Sequence, residues 1–296
     1  SPAQAAGLLP GDVIVSVGEG SDPITDYNAA VDQIRCVAGT EAVFTVRRAG
    51  APDQLYRVTR AAVQTVSVDG RVSVTDPKVG IVRITQFNIL TPVQFRAVME
   101  ELIAAGCEEF VFDVRNNPGG YKDEMVKLLD YLLPEGPLFR SKDYTGRESV
   151  DSSDARFLDI PMAVLVNLDS YSAAEFFAAA LQEYDMATVV GTKTSGKGYS
   201  QQTFKLSDGS SVHISTTRYY TPKGNSLAET GVTPDLVVEL PLEDLNLLLS
   251  GKLADADDEQ LQSAIKAVNS LIAALPVETP AEGETTETTT TETPAE

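Results

Sequence analysis

The chain has 296 residues, 43% of them hydrophobic, and a formal net charge of -20 at pH 7, enough for one large domain or two ordinary ones with buried cores. That charge argues against nucleic acid and against anionic membrane surfaces, because following phosphates takes clustered Lys and Arg. No apolar run is long enough to cross a bilayer, and two cysteines, Cys36 and Cys107, with one distant histidine, His213, neither make a disulfide framework nor close a zinc site, so no metal or cofactor is expected.

The opening residues, "SPAQAAGLLPGD", lack the basic start and long apolar stretch of a signal peptide. Pro10-Gly11-Asp12 is a turn feeding a strand in which Val13, Val15 and Val17 alternate with Ile14 and Ser16. An amphipathic helix follows, with Thr25 or Asp26 as cap and Ala30, Val31 and Ile34 on its apolar side. "EAVFTVRR" is a strand ending in a Gly50-Ala51-Pro52-Asp53 turn. Residues 1–60 therefore read as a small β-rich module and 61–74 as a linker.

A second unit is expected over 75–241. "VGIVRITQF" is a strand. "TPVQFRAVMEELIAAG" is a helix capped by Thr91, with Pro92 at its first position and Val93, Phe95, Val98, Met99, Leu102 and Ile103 as a broad apolar face. "EEFVFDV" is a buried strand, "NNPGG" a turn, "EMVKLLDYLL" a helix and "PMAVLVN" another buried strand, before a helix from Ser172 and the strand "ATVVG". Strand and helix alternate, which predicts a layered α/β core with parallel strands. "SQQTFKL", "SVHISTTRYYT" and "LVVEL" are further strands, the first two joined by a turn at Ser207-Asp208-Gly209. Residues 242–275 hold two helices, the second striped by Leu261, Ile265, Val268 and Ile272, and 276–296 form a Thr/Glu/Pro-rich tail too polar to order itself.

Three stretches carry chemistry. "DVRNNPGG" ends a strand in a glycine turn whose backbone N–H groups are free to meet a ligand, although Asn-Pro-Gly-Gly is also an ordinary turn. Ser172 lies where a strand and short loop give way to "AAEFFAAALQEY"; the helix start would stabilise an oxyanion. Serine is equally a preferred N-cap, "SAAE" fits a capping box with Glu175, and neighbouring Ser170 is a candidate for either role. Lys197 sits between Gly196 and Gly198; a lysine is a general base only when neutral, which takes burial or nearby positive charge, and a solvated loop lysine is the plainer alternative.

Together these stretches resemble the C-terminal processing peptidases, the tail-specific serine proteases of peptidase family S41. Ser172-Ala173-Ala174-Glu175 and Ser195-Gly196-Lys197-Gly198 correspond to the family's nucleophile and lysine motifs, and Ser172 and Lys197 stand 25 residues apart, the family's spacing. The resemblance implies a ClpP/crotonase-like layered core, with Ser172 as nucleophile, Lys197 as base, Gln201 completing the triad, and the backbone N–H groups of Gly120 and Ala173 as oxyanion hole. "SPAQAAGLLPGDVIVSVGE" resembles the second part of a PDZ domain, so the first module is expected to be a PDZ module that is truncated or completed by another segment. "TRYYTPKG" and "GVTPD" extend the match, which covers residues 1 to about 240. Ala174, Ser195 and Tyr171 depart from the usual residues without removing a catalytic group.

The implied substrates are proteins or peptides with accessible C-termini, and the implied location is extracytoplasmic, in a cell envelope or cell-surface space. The resemblance leaves room for a homo-oligomer or an activating partner. Two other readings compete: a peptide-binding PDZ protein whose core has lost catalysis, and an acyl-CoA enzyme of crotonase type, for which no basic cluster awaits the CoA phosphates.

Overall fold

The computed structural model describes residues 1–273, so the expected tail at 276–296 lies outside the described residues. The chain divides into two compact units, Ser1–Thr65 and Val66 onward. The first contains helix α1 (Pro2–Ala5), strand β1 (Val13–Val17), helix α2 (Tyr27–Ile34) and strands β2 (Glu41–Arg47) and β3 (Gln54–Thr59). The strands form an antiparallel sheet in the order β1-β2-β3. Alternation in β2 turns Ala42, Phe44 and Val46 inward against Tyr56 and Val58 of β3, with the Phe44 and Tyr56 rings stacked at 6.4 Å. Asp26 caps α2, accepting from the N–H groups of Asn28 and Ala29. The Pro10-Gly11 turn is held by the Asp12 carboxylate, which accepts from the Arg48 guanidinium at 2.6 and 2.7 Å and from Leu9 N–H at 2.9 Å. Those hydrogen bonds, Arg48 first, bring the Asp12 pKa down to about 2.

The second unit is built on a six-stranded sheet. In chain order its elements are β4 (Val68–Val72), β5 (Val79–Ile84), α3 (Thr91–Ala104), β6 (Glu109–Asp113), α4 (Lys122–Leu132), β7 (Gly136–Asp143), β8 (Glu148–Ser153) and β9 (Met162–Val166). They continue with α5 (Ala173–Glu183), β10 (Ala187–Gly191), β11 (Tyr199–Lys205), β12 (Ser211–Tyr220), β13 (Leu236–Val237), α6 (Leu242–Leu249) and α7 (Glu259–Ala273). The large sheet has the order β13-β10-β9-β6-β5-β4, parallel except for the antiparallel pair β4–β5. A four-stranded antiparallel sheet, β11-β12-β7-β8, stands beside it in the fold.

Both faces of the large sheet are covered, which explains the unbroken apolar runs in β6 and β9. Phe110, Phe112 and Val164 point to one face, where Phe95 and Met99 of α3, Leu128 of α4 and Phe176 and Phe177 of α5 join them. Ile81, Val111, Ala163 and Leu165 point to the other, under Leu261, Ile265 and Val268 of α7. Leu261, Ile265 and Val268 of the C-terminal stripe are therefore core of their own unit, and the side chain of Ile272 lies outside the described residues. Cys107 is buried in the first layer with its thiol pKa raised by that burial, whereas Cys36 is exposed, and both are unpaired.

Some expectations are corrected. Residues 68–72, placed in a linker, form the edge strand β4. Thr91 does not cap α3: its hydroxyl accepts from Asn88 N–H and donates to Gln86 O, so it secures the preceding loop and Leu90 takes the cap position. The buried stripe of α3 is Phe95, Met99 and Leu102, at spacings of four and three, while Val93 and Ile103 fall beside it and are exposed. Among the described residues no helix is long and apolar enough to cross a membrane.

Candidate active site

The loops that leave the carboxyl ends of β5, β6, β9 and β10 are where a parallel sheet builds ligand sites; Gly120, Ser172 and Lys197 lie on them, and Gln201 lies on β11. The turn after β6 is tied to its neighbours by Asn117, fully buried, whose amide donates to Ile84 O at 2.8 Å and accepts from Gly119 N–H at 2.8 Å. Its carbonyl accepts from Tyr171 N–H at 3.1 Å, joining this turn to the loop after β9. Asn116 and Asn167 exchange a second pair of hydrogen bonds between the same two loops, both at 2.9 Å. Gly119 and Gly120 both have positive φ, and both lie where a side chain cannot. A Cβ on Gly119 would stand 2.8 Å from Ser172 Cβ and 2.9 Å from Ala173 N; one on Gly120 would meet Phe87 O at 2.0 Å.

Ser172 has φ 59° and ψ -125°, a conformation L-residues avoid at a cost of about 1–3 kcal/mol. A strained turn from strand to helix is also the form that lifts a nucleophilic serine clear of its backbone. What holds it is Glu175, fully buried. Its Oε2 accepts from Ser172 N–H and Lys197 N–H, each at 2.8 Å, and its Oε1 accepts from Gly196 N–H and the Thr194 hydroxyl, each at 2.6 Å. The residue that looked like half of a capping box therefore joins the serine turn to the lysine loop.

Ser170 is neither cap nor nucleophile. It is fully buried, donates to Val114 O at 2.7 Å and accepts from Asn167 N–H at 3.0 Å. Its work is to bind the β9 loop to the end of β6. Beneath, Arg115 is buried between Asp113 and Asp258 at 2.8 Å each, fastening the β6 turn to the start of α7. Burial works to raise the Asp113 pKa, but the charge and hydrogen bonds of Arg115 outweigh it and the net direction is down.

Ser172, Ala173, Gly120, Lys197 and Gln201 all line one pocket of about 220 Å³, whose apolar part is Met125, Phe139 and Phe176, with Lys122 and Tyr219 beside them. Among the described residues, the N–H groups of Gly120 and Ala173 have no protein acceptor. The lysine loop is pinned closely: a Cβ on Gly196 would lie 2.9 Å from Gly231 N, and one on Gly198 2.7 Å from Ala228 N. Its side chain is another matter. Lys197 is exposed, and its Nζ lies 5.7 Å from the centroid of the Tyr171 ring with no hydrogen-bond partner among the described residues. Gln201 is brought to the same pocket but bonds to His213, Oε1 to Nε2 at 3.2 Å, rather than to Lys197. His213, mentioned on the sequence only as a histidine that closes no zinc site, lines the pocket.

Sequence reasoning missed the reach of Glu175 to residues 194–197 and the latch made by Asn117. A buried acid was signalled by "AAEFFAAA", where a lone carboxylate stands amid apolar and small residues. Nothing local pointed to its partners.

The sequence pattern of peptidase family S41 matches residues 78–238, more than half of the chain. The chain belongs to peptidase family S41. This S41 chain is 34% identical over 82% of its length to a carboxy-terminal-processing protease of Bartonella bacilliformis, and 30% identical over 90% to a carboxyl-terminal-processing protease of Synechocystis. It spans 57% and 62% of those two relatives, less than two thirds of either. Among solved structures it is similar to a photosystem II D1 C-terminal processing protease, with TM-score 0.57 and 31% identity over 88% of this chain and 71% of that one.

Proposed function

We propose that this S41 chain is a serine endopeptidase that cuts proteins near their C-termini through Ser172 and Lys197. The observation that carries the reading is Glu175, which fixes the backbones of both residues at the rim of one pocket. Ser172 Oγ attacks the scissile carbonyl as neutral Lys197 takes its proton. The developing oxyanion is met by the N–H groups of Gly120 and Ala173, a donor of this kind being worth about 3 kcal/mol. Lys197 returns the proton to the leaving amine, and water then hydrolyses the acyl-enzyme. Gln201 orients the lysine amine. The apolar part of the pocket favours an apolar side chain before the cut bond.

Unit Ser1–Thr65 would act as a PDZ-type module that takes the substrate's C-terminus, since the turn, strand and helix order follows that pattern. The relatives' names support a C-terminal target, and an extracytoplasmic setting goes with the family reading. A second reading, peptide binding without cleavage, draws on the exposed Lys197 and its missing bond to Gln201. Hydrolysis of unfolded casein separates the two: the protease reading expects fragments that vanish with Ser172→Ala, and intact casein with every variant supports binding alone.

A further inference from the structure

The turn at Ser207-Asp208-Gly209 sets the register of β11 on β12: Thr203 stands opposite His213 and Gln201 opposite Ser215, so Gln201 and His213 are diagonal neighbours on the face that lines the pocket. His213 Nε2 lies 3.2 Å from Gln201 Oε1, and His213 Nδ1 lies 2.8 Å from Thr203 Oγ1. An amide oxygen only accepts, so Nε2 carries a proton and donates to Gln201, while Nδ1 shares a hydrogen bond with the Thr203 hydroxyl. The three residues form one hydrogen-bonded chain running from Thr203 through His213 to Gln201. In the rotamer this chain selects, Gln201 makes no hydrogen bond to Lys197, although both line the same pocket.

We propose that His213 is a positioning residue that holds Gln201 off Lys197, so that the Gln201–His213 bond must release before Gln201 can orient the lysine amine. The proposal rests on the Ser172/Lys197 reading. His213, Thr203 and Gln201 are all exposed on the ribbon, so the bond is an accessible one that single substitutions remove without opening the core. Its loss frees Gln201 for Lys197 and raises the fraction of molecules with an oriented base. The gain expected from releasing one such bond is about threefold. It falls on kcat and not on KM, because it changes the orientation of the base and not the capture of substrate.

The test compares the full chain with His213→Ala, His213→Gln, Gln201→Ala, the double variant Gln201→Ala/His213→Ala, and Ser172→Ala. The readouts are casein hydrolysis and the rate at which a fluorophosphonate probe labels the serine. His213→Ala is expected to raise kcat and labelling about threefold with KM unchanged. His213→Gln, which keeps an amide N–H at the Nε2 position, is expected to match the parent chain. In the Gln201→Ala background His213→Ala is expected to change nothing. Equal or slower labelling with His213→Ala, or a gain that persists without Gln201, overturns the proposal and leaves the Ser172/Lys197 reading standing. Labelling that survives Ser172→Ala, or no labelling of the parent chain, overturns both.

Discussion

The two sides of the pocket are held by different means. On the serine side, Asn117, Ser170, Asn167 and Glu175 are buried and hydrogen-bonded, and the strained Ser172 turn rests on a core of Phe112, Phe176 and Phe177. On the opposite side, Lys197, Gln201 and His213 are exposed, and Gln201 comes from β11, an edge strand. The anchors there are at the backbone, through Glu175 to Gly196 and Lys197 and through the Gly196 and Gly198 carbonyls, which accept from Glu229 N–H and Tyr219 N–H. Strain can be stored where surrounding packing over-determines a residue, and a proton carrier can be left free to move. The contrast predicts that substituting the buried residues that hold the serine turn costs stability, and that substitutions on the lysine side change chemistry alone.

The largest expected effect is Ser172→Ala, which should lower casein hydrolysis at least about 10³-fold while leaving stability nearly unchanged, because alanine carries the same Cβ at the same positive φ; denaturant melts beside the activity assay check both parts. Lys197→Ala should lower kcat about 10²–10⁴-fold, the usual contribution of a general base, with no change in the melt because the side chain makes no buried contact. Glu175→Ala spans both sides. It removes the acceptor of three backbone N–H groups and one hydroxyl in a buried place, so it should cost about 3 kcal/mol or more and abolish activity, read by urea titration and by labelling of the serine. Ser170→Ala should cost about 1–3 kcal/mol by leaving Asn167 N–H without its acceptor, yet folded molecules should still cleave.

The smallest effect lies outside the pocket, in the first unit. The Asp12 pKa is depressed to about 2 by Arg48. A group whose folded pKa is lowered contributes stability above its unfolded pKa, near 3.9, and loses it as pH falls through the folded value. Thermal melts of the parent chain and of Asp12→Asn should therefore differ at pH 5 and converge as the pH approaches 2.

Much of this was legible before any coordinates. The buried strands β6 and β9 announced themselves as apolar runs, and the alternation of β and α implied the parallel order. The spacing of Ser172 and Lys197 put both candidates in one reading. What escaped was non-local. β3 and β4 are short and polar on one side, so their strand character comes from neighbours rather than from pattern. Thr91 looked like a cap because its sequence position allows one; the loop at residues 86–88 claimed its hydroxyl. Glu175 was seen as a local partner of Ser172, and its bonds to residues 194–197 depend on how β10 lies beside β9. His213 could have been paired with Gln201 from the hairpin turn alone, since the register centred on Asp208 sets Thr203 opposite His213.

The central claim is that Ser172 is activated by Lys197. Its most direct test is intact-mass measurement of fluorophosphonate labelling over time for the parent chain, Ser172→Ala and Lys197→Ala. The account predicts one adduct on the parent chain, none on Ser172→Ala, and labelling at least about 10²-fold slower on Lys197→Ala. Labelling of Lys197→Ala at the parent rate would contradict it.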